Sequence, residues 1–390
     1  MKAVICGAGI AGLALAGSLA RRGWTVAIVD RGSAARGEGY MIDLFGSGYE
    51  AARRMDMLPR LRELRYEIAG IRWQNAGGRT TARLPYRTLE GLFDGRLMSL
   101  MRSDLERVLL ERLPPSVELH LGAWGTQVRT PVGGVEAVLS NGNVEQGDVL
   151  IGADGIRSRI RDLTFGDGSS WFRFLGFHTA AFVVNDPTLC AKLGSDLNIL
   201  SVPGRQVGLY PVRDGNVAAF FVHRAGDLPP TGEPAEALVK AYGDLGWHLP
   251  VLLEHAKALP GFLYEQVGQV VIPHWYRGRI ALLGEACQAV SLLPGQGAAL
   301  SMAAAFVLAE ELTRDDDVKA ALARYEHRVR PPLAQMRRAG RKSAEWLVPA
   351  TSAGIVARDA AIRLASIRGL SRLLRPAISA AREDVLVPAA

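Results

Sequence analysis

Cysteine is scarce: Cys6, Cys190 and Cys287 are the three in 390 residues, too few and too scattered for a disulfide framework or a metal cluster. Such usage fits a reducing cytoplasm, and no metal site is expected. Nucleic-acid signatures are missing too, with no zinc-finger spacing, basic leucine-zipper pattern or aromatic-basic RNA-binding run. The net charge of +7 therefore favours anionic partners only in a general way. No Ser-His-Asp arrangement and no metal-ligand spacing is visible. Charge itself is absent from Ala286 to Ala309, a run long enough to cross a bilayer, but Pro294, polar side chains and two glycines interrupt it, so no membrane span is expected. The amino terminus imitates a secretory signal, with Lys2 before an uncharged run from Ala3 to Ala20. Arg21 and Arg22 then stand where a small-residue cleavage site is required. Repeats and low-complexity linkers are also lacking.

What is present is globular in character: 48% hydrophobic residues, 22% charged and a mean hydropathy of +0.10. A chain of this length exceeds what one core usually supports, so two domains or more are expected. The first thirty residues divide into an apolar strand (3–6), a glycine turn, an alanine- and leucine-rich helix (about 11–22) and a second strand (26–29) closed by Asp30. That is a βαβ unit. Gly7, Gly9 and Gly12 form G-x-G-x-x-G at the strand-to-helix junction: the first permits the turn, the second admits a pyrophosphate, and the third lets helix pack on strand. With Ile10 and Ala11 they present the helix amino terminus to phosphates. Asp30, followed by Arg31, is placed to accept hydrogen bonds from a ribose. The motif alone leaves FAD and NAD(P) both open.

Two further stretches accompany it. In "GDVLIGADGIRSRIR" (147–161) a buried strand (149–153) leads into an Asp154-Gly155 turn and a short basic helix (156–163). In "GRIALLGEACQAVSLLPGQGAALSMAAAFVLAEEL" (278–312) a strand ends at Gly284-Glu285, an irregular loop carries Pro294, Gly295, Gln296 and Gly297, and a buried helix begins at Ala298. A fourth stretch, "LMSLMRSDLERVLLERL" (97–113), sets Arg102 before an amphipathic helix whose apolar positions are Leu105, Val108, Leu109 and Leu113, with Ser103 or Asp104 as its cap. In type and order these stretches resemble the FAD-dependent single-component (group A) monooxygenases, the para-hydroxybenzoate hydroxylase superfamily, from residue 1 to about 330.

That resemblance implies an α/β chain: a Rossmann-like FAD-binding domain built from 1–70, 101–165 and 277–330, an inserted β-sheet substrate domain from 71–100 and 166–276, and C-terminal helices from 331–390. It implies that Arg102 contacts the flavin, that Asp154 and Gly155 lie near the pyrophosphate and ribityl chain and affect NAD(P)H use, and that the acid at 285 binds ribityl hydroxyls while the 294–297 loop lies against the ring. Two positions depart from the pattern: the usual Asp is Glu285, and Gln288 stands where many members carry His. The runs "FHTAAFVV", "LNILSV", "RQVGLYPV", "NVAAFFVHR" and residues 68–86 read independently as antiparallel strands. Tyr210, Phe220, Met98, Leu292 and Pro294 are candidate walls of an apolar pocket, and His178 and His223 candidate acid-base groups. The C-terminal stretches "LAQMRRAGRKSAEWL" and "AIRLASIRGLSRLLRP" read as basic amphipathic helices, which can lie on a membrane surface but are expected to pack on both domains with their arginines solvated.

The function implied is NAD(P)H-consuming hydroxylation of an aromatic or polyketide-like small molecule, an antibiotic among the options, with dioxygen and a flavin 4a-hydroperoxide. Cofactor chemistry of that kind accounts for the lack of an acid-base constellation. A reductase or oxidase of the same fold, or a degenerate flavin-binding protein, shares the glycine motifs.

Overall fold

The computed structural model describes residues 1–32, 39–166, 168–226, 232–290, 296–367 and 385–386, with backbone alone at 168–169, 296 and 339–343. Leu292, Pro294 and Gly295, and the side chain of Gln296, lie outside the described part. In order, the chain forms β1 (Lys2–Cys6), α1 (Ile10–Ala20), β2 (Thr25–Asp30), β3 (Met41–Phe45), α2 (Gly46–Arg54), α3 (Leu58–Leu64), β4 (Gly70–Gln74), β5 (Thr80–Pro85), α4 (Tyr86–Leu92), β6 (Leu97–Met101) and α5 (Arg102–Glu111). There follow β7 (Glu118–Leu121), β8 (Gly125–Arg129), β9 (Val135–Leu139), β10 (Val144–Gly147), β11 (Val149–Gly152), α6 (Arg159–Phe165), β12 (Phe172–Asn185), α7 (Pro187–Leu193), β13 (Asp196–Val202), β14 (Arg205–Pro211) and β15 (Asn216–Arg224). The last part holds α8 (Pro234–Tyr242), α9 (Leu249–Ala258), β16 (Leu263–Val270), β17 (Tyr276–Arg277), β18 (Ile280–Leu282), α10 (Glu285–Gln288), α11 (Gln296–Leu312), α12 (Val318–Leu347) and α13 (Ser352–Ala365).

Two large sheets organise these elements. The first has the order β17-β18-β11-β1-β2-β7, with β18, β11, β1, β2 and β7 parallel. Its central strands are continuous apolar runs because both faces are covered: β1 and β11 are buried almost throughout, α1 packs on β1 and β2 with α11 behind it, and a three-stranded sheet, β10-β9-β8, packs against β1 and β11. The second sheet, β16-β12-β15-β14-β13-β4-β5, is antiparallel except where β13 meets β4. Its strands alternate. Phe182, Phe221 and Leu209 face α8 and α9 in one core, while Phe177, Phe220 and Val222 face a cavity on the other side. A two-stranded ribbon, β3-β6, lies beside that cavity.

Three details depart from the sequence expectations. Helix α12 runs unbroken through residue 330, with Pro331 and Pro332 inside it. Each proline removes a helical donor, yet Val329, Leu333 and Met336 are buried in the main core, and that packing holds the helix together. The carboxy-terminal arginines are only partly solvated: Arg338 and Arg363 are exposed, but others are not. Arg358 is 2% exposed, with Nε and Nη2 donating to Asp359 and Nη1 to the Leu347 carbonyl, and Arg337 donates to the Cys287 carbonyl at 2.7 Å. Helix α5 begins at Arg102 itself without a side-chain cap; Asp104 is drawn away by Arg107 and Arg213, each at 2.7 Å.

Candidate active site

The carboxyl ends of parallel strands are where α/β sheets bind ligands, and here they gather the three glycine-bearing stretches. Gly7 adopts φ +120°, and a Cβ there would lie 2.2 Å from the Ala153 carbonyl oxygen; one on Gly12 would lie 1.9 Å from the Gly7 oxygen. A side chain on Gly7 would force the turn away from the end of β11, and one on Gly12 would prise α1 from the turn and β1. Gly9 differs: a Cβ there meets nothing within 4 Å, and α1 starts after it with no side-chain cap. Open space in front of uncapped backbone donors fits an anionic diphosphate. Ile10 and Ala11 are buried behind it.

Asp30 clamps the glycine turn, accepting from the Ala8 N–H through Oδ2 and the Gly32 N–H through Oδ1, both at 2.7 Å. Arg31 beside it is exposed. The Asp154 carboxylate is similarly committed: Ser158 Oγ donates to it at 2.5 Å and the Ile160 N–H at 3.0 Å, while Ser158 caps α6. Burial pushes the Asp154 carboxyl up, and these hydrogen bonds pull against that rise. Gly155 turns the chain at φ +84°, and Arg161 reaches from α6 to the Ala286 carbonyl at 3.0 Å. Gly284, at φ +64°, brings the third stretch against the first: a Cβ on it would sit 2.8 Å from that of Ala11.

Glu285 opens the one-turn α10 and is exposed; its Oε1 lies 3.7 Å from where a Gly297 side chain would begin. Gly297 and Ala298, half-buried, start α11. Gln288 is instead a core residue, 3% exposed, donating to Tyr325 Oη at 2.5 Å.

Across from Glu285 stands a group of charges. Arg102 pairs with Glu106 at 2.8 Å. Burial lowers its basicity, but Glu106, Tyr40, Glu285 and Glu265 together outweigh that and hold the guanidinium above its ordinary value. Glu265, on β16 of the second sheet, is pushed up to about 7, first by burial and then by Glu285, with Arg157 and Arg102 opposing. Burial likewise raises the Tyr40 phenol.

Behind Tyr40, whose ring meets Phe220 at 5.4 Å, opens a cavity of ≈190 Å³ between the second sheet, the β3-β6 ribbon and the end of α12. Tyr210 and Phe220 both line it. Met98 does not, because it points from β6 into the main core. His178 and His223 are also excluded. They pair across β12 and β15 one residue out of phase with Phe177 and Val222, so they face the opposite side, among Tyr242 and Tyr264. Burial holds the His223 imidazole down at about 4, and no acid-base role in the cavity is open to either.

The FAD binding domain family matches residues 1–339. A flavin-dependent monooxygenase from an unknown prokaryotic organism is 28% identical over 337 residues, covering 85% of this chain and 86% of that protein. The chain belongs to this family and is an FAD-dependent monooxygenase. The crystal structure of tetracycline destructase Tet(51) superposes on the monooxygenase with a TM-score of 0.82 at 22% identity, covering 100% and 99% of the two chains. Klebsiella pneumoniae HpxO, solved with FAD and uric acid, gives 0.80 at 21%, covering 98% and 97%. Both establish the shared fold. Residues the sequence did not single out in the monooxygenase are Tyr40, Glu265 and Asp43. A signal existed for Asp43, one acid inside the apolar run Met-Ile-Asp-Leu-Phe, whereas Glu265 has no local signal.

Proposed function

We propose that this monooxygenase oxidises an apolar, ring-bearing small molecule bound in the cavity under the second sheet, using dioxygen and reducing equivalents from NADPH or NADH. In this reading the α1 amino terminus at Gly9–Gly12 holds the FAD pyrophosphate and Asp30 the adenosine ribose. Asp154, Gly155, Gly284 and Glu285 frame the ribityl chain, and Arg102 and the 294–298 segment attend the ring. When bound, FAD supplies hydride acceptance and dioxygen activation. The protein supplies the rest. Phe177, Phe220, Val222 and Leu347 exclude water, Tyr40 separates the cavity from the charged group, and Glu265, titrating near neutrality, is suited to hold or release a proton there.

The observation carrying this reading is the cavity itself, lined mostly by apolar side chains, with Tyr40 in its wall and within reach of the charges of Arg102, Glu285 and Glu265. Three free cysteines suit a cytoplasmic setting, and no helix among the described residues is long and apolar enough to cross a membrane. The test is NADPH and NADH oxidation by the FAD-loaded protein across a panel of phenolic and polyketide compounds. Stimulation by multi-ring members is expected. Oxidation that no compound accelerates would contradict a hydroxylase and favour a reductase or oxidase.

A further inference from the structure

Strands β3 and β6 read Met-Ile-Asp-Leu-Phe and Leu-Met-Ser-Leu-Met, each apolar except at its centre. Their antiparallel register sets the two polar residues opposite one another, Asp43 against Ser99. Ser99 Oγ donates to Asp43 Oδ1 at 2.5 Å, and Tyr86 Oη lies 2.5 Å from Ser99 Oγ and 3.5 Å from the same Oδ1. Both donors converge on Oδ1; Oδ2 takes neither. Alternation along β3 turns Ile42 and Leu44 into the main core, whereas Met41 and Asp43 line the cavity with Tyr86. A carboxylate so placed is costly unless it is partnered, and burial pushes its carboxyl above the ordinary range despite the two hydroxyls.

A second acceptor faces the same space. Gln206 lines the cavity, and its Oε1 is buried without a hydrogen-bond partner among the described residues. Residues Gln206, Gly208 and Tyr210 succeed one another along one face of β14 and all line the cavity, a floor of roughly 14 Å from first to last at strand rise. Tyr210, whose oxygen accepts the Met41 N–H, stands at the Asp43 end. Along the ribbon, the Asp43–Ser99 pair lies two rungs from the Met41–Met101 pair, which adjoins Tyr40 and Arg102 in the chain.

We propose that Asp43, held by Ser99 and Tyr86, and Gln206 are specificity-determining acceptors that select a substrate carrying hydroxyl or amino donors on an otherwise apolar ring system. This rests on the cavity being the substrate site. A site built to accept hydrogen bonds rejects an analogue lacking the donors, because its own polar groups are then left desolvated and unpaired. In this role Asp43 acts through hydrogen bonding to the bound substrate, and its effect is read as affinity.

Equilibrium binding to the FAD-loaded protein without NADPH, followed by calorimetry and by perturbation of flavin absorbance, compares 2,6-dihydroxynaphthalene with the shape-matched 2,6-dimethylnaphthalene. The wild type should prefer the diol by about tenfold or more. Asp43→Asn should remove most of that preference while leaving binding of the dimethyl probe, flavin absorbance and melting temperature within error. Gln206→Leu, on the sheet face, should weaken the diol in the same direction. Equal binding of the two probes by the wild type overturns the proposal, even if Asp43→Asn proves unstable, and so does a preference that survives both substitutions. The monooxygenase reading fails separately, through absent substrate-stimulated NADPH oxidation, and leaves the binding comparison interpretable.

Discussion

At the residue scale, Gly7 and Gly9 look alike in the motif but differ in what surrounds them. Gly7→Ala places a Cβ 2.2 Å from a carbonyl oxygen at φ +120° and should destabilise the fold by at least about 2 kcal/mol in denaturant titration. Gly9→Ala meets no protein atom within 4 Å at an ordinary φ of −81°. Its melting temperature should hold while FAD affinity falls about tenfold or more, and unchanged affinity would place the pyrophosphate elsewhere. Glu265 gives a pH signature. In the unfolded chain its proton leaves near the ordinary 4.5, but in the folded chain only near 7. The folded state therefore binds more protons across that window, and this contribution to stability falls as pH rises through it. Chemical denaturation from pH 5 to pH 7.5 should show this decline, and Glu265→Gln should flatten it. An identical slope in the variant would mean the carboxyl is not buried as described.

At the element scale, the parts legible in the sequence are those whose chemistry is local. The βαβ unit, the Asp-Gly turn and the Gly-Glu strand end each carry a glycine that backbone geometry demands, and β15 follows its alternating run from Asn216 to Arg224. Features decided by tertiary neighbours were not legible. Strand phase relative to the cavity sends His178, His223 and Met98 the wrong way for their assigned places, register alone pairs Asp43 with Ser99, and core packing carries α12 through two prolines. Helix α13 is a further case, a basic amphipathic segment whose Arg358 is buried against Asp359, the Leu347 carbonyl and, at 6.0 Å, the Trp73 ring. Arg358→Leu strands the Asp359 carboxylate and should cost about 3 kcal/mol or more by denaturant titration. Since Leu347 lines the cavity, the same variant should also weaken binding of apolar probes there.

At the scale of the whole molecule, a parallel sheet gathers three glycine-bearing stretches at its carboxyl ends, and an antiparallel sheet encloses an apolar cavity on the face turned toward the β3-β6 ribbon. Tyr40 and the cluster of Arg102, Glu265 and Glu285 lie at the junction. The two sheets thus divide the work: one is suited to hold the flavin, the other to hold and dry the substrate. Filling the cavity tests this division. Gly208→Val projects a side chain into the space between Gln206 and Tyr210 and should abolish substrate-stimulated NADPH oxidation while FAD content stays that of the wild type; loss of FAD as well would mean the two functions are not separable. The most direct measurement of the central claim is oxygen transfer. The FAD-loaded protein, turning over NADPH with a multi-ring phenol under labelled dioxygen, should yield a product carrying one labelled oxygen atom in step with NADPH consumed. Label appearing only in hydrogen peroxide, with the phenol recovered unchanged, would contradict it.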